Sequence, residues 1–287
     1  MYKIKILTAL LYIQVLQASI YVFGDSHAFA FDGIQDCKIC HLGPILMHRI
    51  GRDSLHALNL KDWGVTEGSV VVFAFGEIDV RCHIGKQRDH QHRSLEEIIE
   101  TLSNKYIHSI LANQAQYNNI QSIIYNVVPP LKNGISRSSY PIYGTDEERV
   151  MITKMLNASL RNLCAQHNIG FLDAYNDFAC EDGTLRVELS DGDVHINAKY
   201  NKSIQNKLNE LIHLNRYTQR DSKLGRQDAS KPRGSSIVNR FIFLILTDLR
   251  STIPGALTRP GDQVLSHVGY RMGSLNYGDL ESPEEKI

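Results

Sequence analysis

The chain has 287 residues, 43% of them hydrophobic and 22% charged. That balance supports one globular core domain with appendages and excludes global disorder. Lys and Arg total 31, as do Asp and Glu, so the formal net charge is zero and nothing broad favours nucleic acid as a partner.

The first 18 residues have the layout of an export signal. Lys3 and Lys5 form a short basic region, Ile6 to Leu16 is mostly apolar, and Gln17-Ala18-Ser19 offers a small-residue cleavage point. The competing reading is a first strand or amphipathic helix, because Tyr12 and Gln14 interrupt the apolar run. The run is too short for a comfortable membrane span.

Strands are expected where β-branched and aromatic runs stop at turn residues. Ser19 to Gly24 is the first, and Asp36 to Leu42 the second, stopped by Gly43-Pro44. Ser69 to Gly76 is a continuous apolar run suited to a buried parallel strand. Gln121 to Val128, ended by two prolines, and the short Ile169 to Asp173 complete five. Pro44 is placed in the first turn of a helix through Met47 and Ile50. Further helices start at Ser94-Leu95-Glu96-Glu97, running towards Gln114, and at Thr145-Asp146-Glu147-Glu148, ending near His167. A last one spans Ile196 to about Leu214. Strands alternating with helices argue for an α/β chain, a three-layer α/β/α sandwich with a central parallel sheet of about five strands.

Residues 19–216 form the expected core domain. From Tyr217 the character changes, and 217–236 read as a polar, basic linker. The segment 237–249 is strongly apolar but contains Arg240 and is too short to cross a bilayer. It suits a docking element, or a peripheral membrane or protein contact. The remainder to 287 reads as a loose tail.

Five cysteines (Cys37, Cys40, Cys82, Cys164, Cys180) at irregular spacing make no disulfide framework. Cys37-Lys38-Ile39-Cys40-His41 matches a haem-attachment pattern but also reads as a buried strand, which is the reading adopted. Cys82-His83 with His90 and His92 fits no strong zinc spacing. No metal or other cofactor is expected.

Two segments carry the chemistry. Val22-Phe23-Gly24-Asp25-Ser26-His27 puts a hydroxyl just past the first strand, where a helix start exposes unpaired N–H donors. Gly24 permits the tight turn, and Asp25 can hold the loop through its backbone. Asp191-Gly192-Asp193-Val194-His195 supplies an imidazole with two nearby acids. A serine hydroxyl needs a base to remove its proton, and a carboxylate to orient that base. Gly76-Glu77-Ile78-Asp79-Val80-Arg81 follows the strongest strand. Gly76 would admit substrate, and Arg81 would bind negative charge or pair internally with Glu77 or Asp79. The Gly43 N–H is a candidate second oxyanion donor, with Gly51 as runner-up.

From Ile20 to Arg216 the chain resembles the SGNH/GDSL hydrolase superfamily, in a branch reading Gly-Asp-Ser-His and Gly-Glu-Ile-Asp-x-Arg. The resemblance rests on Gly24-Asp25-Ser26, Gly43, Gly76-Glu77-Ile78-Asp79 and Asp191 with His195, four blocks in order. It implies Ser26 as nucleophile, His195 as base, an orienting acid and, as substrate, an acetylated sugar, a lipid or a small acyl ester. Two departures stand out. Ile78 occupies the place of an Asn that would donate to the oxyanion. The acid commonly stands three residues before the histidine, where this chain has Gly192; Asp191 is favoured over Asp193. The expectation is a serine esterase acting on a small acyl ester, probed first as acetyl on an O-acetylated glycan because of the polar Glu77, Arg81 and His83. The rival is a non-catalytic glycan-binding or surface-anchoring module of the same fold. Spacing leaves the oligomeric state open.

Overall fold

The computed structural model describes residues 19–135 and 141–224, with 215–224 as helical backbone only. The expected export signal, the apolar segment 237–249 and the tail lie outside the described residues, as does most of the basic linker.

Five strands form one parallel sheet: β1 (Ile20–Gly24), β2 (Cys37–His41), β3 (Val70–Ala74), β4 (Gln121–Tyr125) and β5 (Gly170–Leu172). Their order is β2-β1-β3-β4-β5, the doubly wound, flavodoxin-like arrangement. Val22, Val72 and Ile123 are fully buried, as central strands covered on both faces require. Each strand lies inside its expected run and is shorter at one or both ends.

The helices are α1 (Met47–Asp53), α2 (Gly85–Gln91), α3 (Leu95–Gln114), α4 (Asp146–Gln166), α5 (Tyr175–Phe178) and α6 (Lys202–Leu224). Ser94 and Thr145 start α3 and α4 with reciprocal capping boxes, to Glu97 and Glu148 respectively. Strand side chains alternate between two cores. Phe23, Val71, Phe73 and Ile124 pack with Met47 and Ile50 of α1, Ile107 of α3 and Leu156 of α4. Val22, Val72 and Ile123 pack with Phe31, Phe178 of α5 and Ile204 and Leu208 of α6.

Three local expectations are corrected, and one helical stretch is added. Pro44 lies outside α1, whose N-cap is Leu46. The last helix begins at Lys202, because Ile196 is taken up in an antiparallel bridge to Ser190 and Asn197 caps a separate 3-10 turn. It also runs on to Leu224, past the change of composition at Tyr217. Asp79 to Gln91 was not anticipated as helical; Asp79–Ile84 is a π-helical turn leading directly into α2.

In the Cys37-x-x-Cys40-His41 stretch, Cys37 faces one core and Cys40 the other. Residues three apart on a strand point to opposite faces, so the two thiols do not present one edge to a haem. Burial pushes the Cys37 thiol up to about 12. All five cysteines are unbridged.

Candidate active site

In an open parallel sheet, the ligand crevice lies at the carboxyl ends of the strands where the order reverses. Here that point is between β1 and β3, and the candidate residues gather around it.

β1 ends at Gly24, where an added Cβ would meet the Ala74 carbonyl oxygen at 2.6 Å and the Ala28 Cβ at 2.8 Å. Only glycine lets the turn pass so close to β3. Asp25 then caps a 3-10 segment, Ser26–Phe31, by accepting the His27 backbone N–H at 2.8 Å. Ser26 is the first residue of that segment.

The second contributor is the loop between α5 and α6. Gly192, at φ +94°, reverses the chain between the two acids. Asp191 accepts from the Asp193 backbone N–H through Oδ1 at 2.9 Å, leaving Oδ2 at 2.9 Å from His195 Nδ1. His195 Nε2 lies 2.8 Å from Ser26 Oγ. The line Asp191–His195–Ser26 is therefore continuous. Its chemistry follows if Nδ1 carries the proton, donated to Asp191, and Nε2 accepts from the serine hydroxyl. Asp193 is buried and directs Oδ1 to the Val194 N–H at 3.0 Å. His195 is 17% exposed and Asp191 42%, so the imidazole meets solvent at the mouth of the cleft.

The third contributor follows β3. Gly76 has φ +114°, and a Cβ there would meet Met47 Cε at 2.7 Å and Val127 Cγ2 at 2.8 Å. Glu77 and Arg81 take the internal pairing, the second of the two roles expected of them. Both are buried, with Arg81 Nε donating to Glu77 Oε1 at 2.8 Å and Arg81 Nη1 to the Pro141 carbonyl at 3.0 Å. Their i, i+4 spacing survives the π turn and closes an internal ion pair. Asp79 is also internal, accepting the N–H groups of Met47 (2.7 Å) and His48 (3.1 Å) at the start of α1. Burial pushes its carboxyl up to about 7, against those two donors.

Gly43 lies two residues beyond His41, which pairs in register with Gly24, and the Leu42 N–H donates to the Gly24 carbonyl at 2.9 Å. Gly43 is thus held at the carboxyl edge beside the Ser26 turn, with φ +77° and open space where a Cβ would stand. Gly51, the runner-up, sits within α1 against Lys105 and Tyr106. An open pocket of about 480 Å³ is lined by His41, Leu42, Pro44, Ile45, Arg49, Ala57 and Trp63, and by none of Ser26, Asp191 and His195.

His27 was missed as a site residue. Its Nδ1 lies 2.8 Å from Asp25 Oδ1, its Nε2 3.3 Å from the Val194 carbonyl oxygen and 3.8 Å from Glu77 Oε2. The available signal was its position directly after Ser26, in the Gly-Asp-Ser-His reading of the first block. Among the described residues, no three His, Cys, Asp or Glu side chains converge as metal ligands.

No protein-family model matches the chain, and no curated protein matches it by sequence. Solved structures do overlap with it. A GDSL-like lipase from Bacteroides thetaiotaomicron matches at 12% identity over 68% of this chain and 85% of its own, with a TM-score of 0.43. A member of the lipolytic protein G-D-S-L family from Veillonella parvula matches at 18% identity over 67% of this chain and 96% of its own, with a TM-score of 0.40. An extracellular lipase from Streptomyces rimosus matches at 15% identity over 68% of this chain and all of its own, also with a TM-score of 0.40.

Proposed function

We propose that the protein is a serine esterase of the SGNH/GDSL type, hydrolysing a small acyl ester, with an acetyl group on a carbohydrate as the substrate to test first. The observation that carries this reading is the unbroken line from Ser26 Oγ through His195 to Asp191, at 2.8 and 2.9 Å.

In this reading Ser26 Oγ attacks the ester carbonyl as His195 Nε2 takes its proton. Asp191 holds the ring and supports the imidazolium. The oxyanion is met by the backbone N–H groups of Ser26 and Gly43. Collapse releases the alcohol, protonated by His195, and leaves an acyl group on Ser26. Water, deprotonated by His195, then frees the acid. The cycle needs no metal or organic cofactor. The N-terminal segment is read as an export signal, with a cytoplasmic protein as the alternative, and the mass of the mature N-terminus separates the two.

The test is hydrolysis of p-nitrophenyl acetate and of an O-acetylated sugar by the wild type and by Ser26→Ala, with labelling by a fluorophosphonate probe. Wild-type turnover and labelling that Ser26→Ala lacks support the esterase. Equal, background rates in both point to the second reading, a non-catalytic glycan-binding or anchoring module. Two observations favour that alternative: Ile78 brings no donor to the oxyanion, and Arg81 is engaged with Glu77 and Pro141.

A further inference from the structure

We propose that His27 is a positioning residue, an internal imidazolium that clamps the loop carrying His195 onto the turn carrying Ser26; the proposal rests on the esterase reading for its kinetic consequence. Both ring nitrogens are committed. Nδ1 faces the Asp25 carboxylate, and Nε2 faces a carbonyl oxygen, Val194, next to His195. A carbonyl and a carboxylate are both acceptors, so satisfying the two at once requires a proton on each nitrogen. The charged form answers a further need. Asp25 is fully buried, and among the described residues its Oδ2 has no hydrogen-bond partner. Glu77 Oε2 approaches the other side of the same ring at 3.8 Å. A cation between these carboxylates offsets a cost that neutral neighbours would leave standing.

The result is an alternating internal row: Asp25, His27, Glu77, Arg81. It joins the turn after β1 to the segment after β3. Its link to the second contributor, the loop between α5 and α6, is the Val194 carbonyl. The His27 and His195 rings are 4.9 Å apart at 51°, so the clamp sits directly behind the base. His27 is not a rival base, because neither nitrogen is left to accept a proton from Ser26.

The charged groups around it come from every packed segment: Asp25 on its own turn, Glu77, Asp79 and Arg81 after β3, and Asp191, Asp193 and His195 on the loop. Burial works against the charged ring, but the Asp25 charge and hydrogen bond, the Glu77 charge and the Val194 carbonyl prevail, raising His27 to about 9.

The first arm of the test needs no turnover. In the full chain carrying Ser26→Ala and 15N-labelled at histidine, NMR at pH 7.5 is expected to show one buried imidazole protonated on both nitrogens, its signals lost in His27→Gln. A neutral His27 ring at that pH overturns the proposal. The second arm is kinetic. His27→Gln and the volume-filling His27→Phe are expected to lower kcat for p-nitrophenyl acetate by on the order of 10²-fold, with KM little changed. The wild-type kcat should also fall as pH rises through about 9, and the variants should lack that limb. An unchanged kcat in folded variants, or an effect confined to KM, overturns the clamp. A wild type no faster than Ser26→Ala sinks the esterase reading instead, and the clamp then stands or falls on the spectrum.

Discussion

His195 Nε2 and Ser26 Oγ stand 2.8 Å apart although 169 residues of chain separate them. The sheet makes this contact. β1 delivers Ser26 to the carboxyl edge at the point where strand order reverses, and the loop before α6 returns across that edge. Neither residue is held by its own side chain alone. Gly24 lets the first turn press against β3, and Gly192 turns the second loop back on itself.

The two acids of the loop should be separable. Asp191→Asn removes the charge facing His195 Nδ1 and favours the wrong tautomer, so kcat should fall by up to roughly 10⁴-fold. Asp193→Asn keeps an amide oxygen that can still accept the Val194 N–H, so its kcat should change little. Steady-state rates beside thermal melts of both variants check this. A larger kcat loss in Asp193→Asn would reverse the assignment.

Ile78 marks a deficit that can be filled. Ile78→Asn restores a side-chain donor at the place the superfamily resemblance assigns to one. The expected outcome is a higher kcat on p-nitrophenyl acetate, with a gain bounded by roughly 10²–10³-fold, the usual worth of one oxyanion donor. A rate unchanged or lower would mean the Ile78 position does not reach the oxyanion.

Stability should fall with pH in two windows. Asp79 holds its proton more tightly when folded, with its pKa raised from 3.8 to about 7. The stability this contributes is full below pH 3.8 and is lost as pH rises through 7. His27 is also raised, from 6.5 to about 9, so its contribution is full below 6.5 and lost as pH rises through 9. Thermal melts across these ranges should flatten in the lower window for Asp79→Asn and in the upper one for His27→Phe. Unaltered pH slopes in either variant would remove that residue from the linkage.

Gly76→Ala should destabilise by about 1–3 kcal/mol from crowding alone, because its Cβ would press on Met47 and Val127. The positive φ adds strain to that. Gly43→Ala meets open space and bears only the backbone strain, so its melting temperature should drop less. Equal losses in the two would mean that φ, not packing, sets the cost.

The strands were legible in residues such as Val70 to Ala74, because a strand covered on both faces must be apolar throughout. The starts of α3 and α4 were legible because Ser94 with Glu97, and Thr145 with Glu148, satisfy their own helix ends locally. The helical stretch from Asp79 to Gln91 was not. Its buried positions include Asp79 and Arg81, and the π turn departs from the 3.6-residue period that reveals an amphipathic helix. For Glu77 and Arg81 the sequence left substrate binding and an internal ion pair both open, and packing made the pair.

Sequence alone was enough for the alternation of strand and helix, the glycine at the first turn, and the set of side chains able to do acyl chemistry. These depend on neighbours within a few residues, where backbone geometry and side-chain chemistry act locally. Tertiary structure supplied the contact that brings Asp191, the acid the sequence favoured, to the imidazole, and it alone placed His27 between Asp25 and the Val194 carbonyl. Those outcomes depend on which distant groups share a water-poor space, and spacing along the chain carries no measure of that.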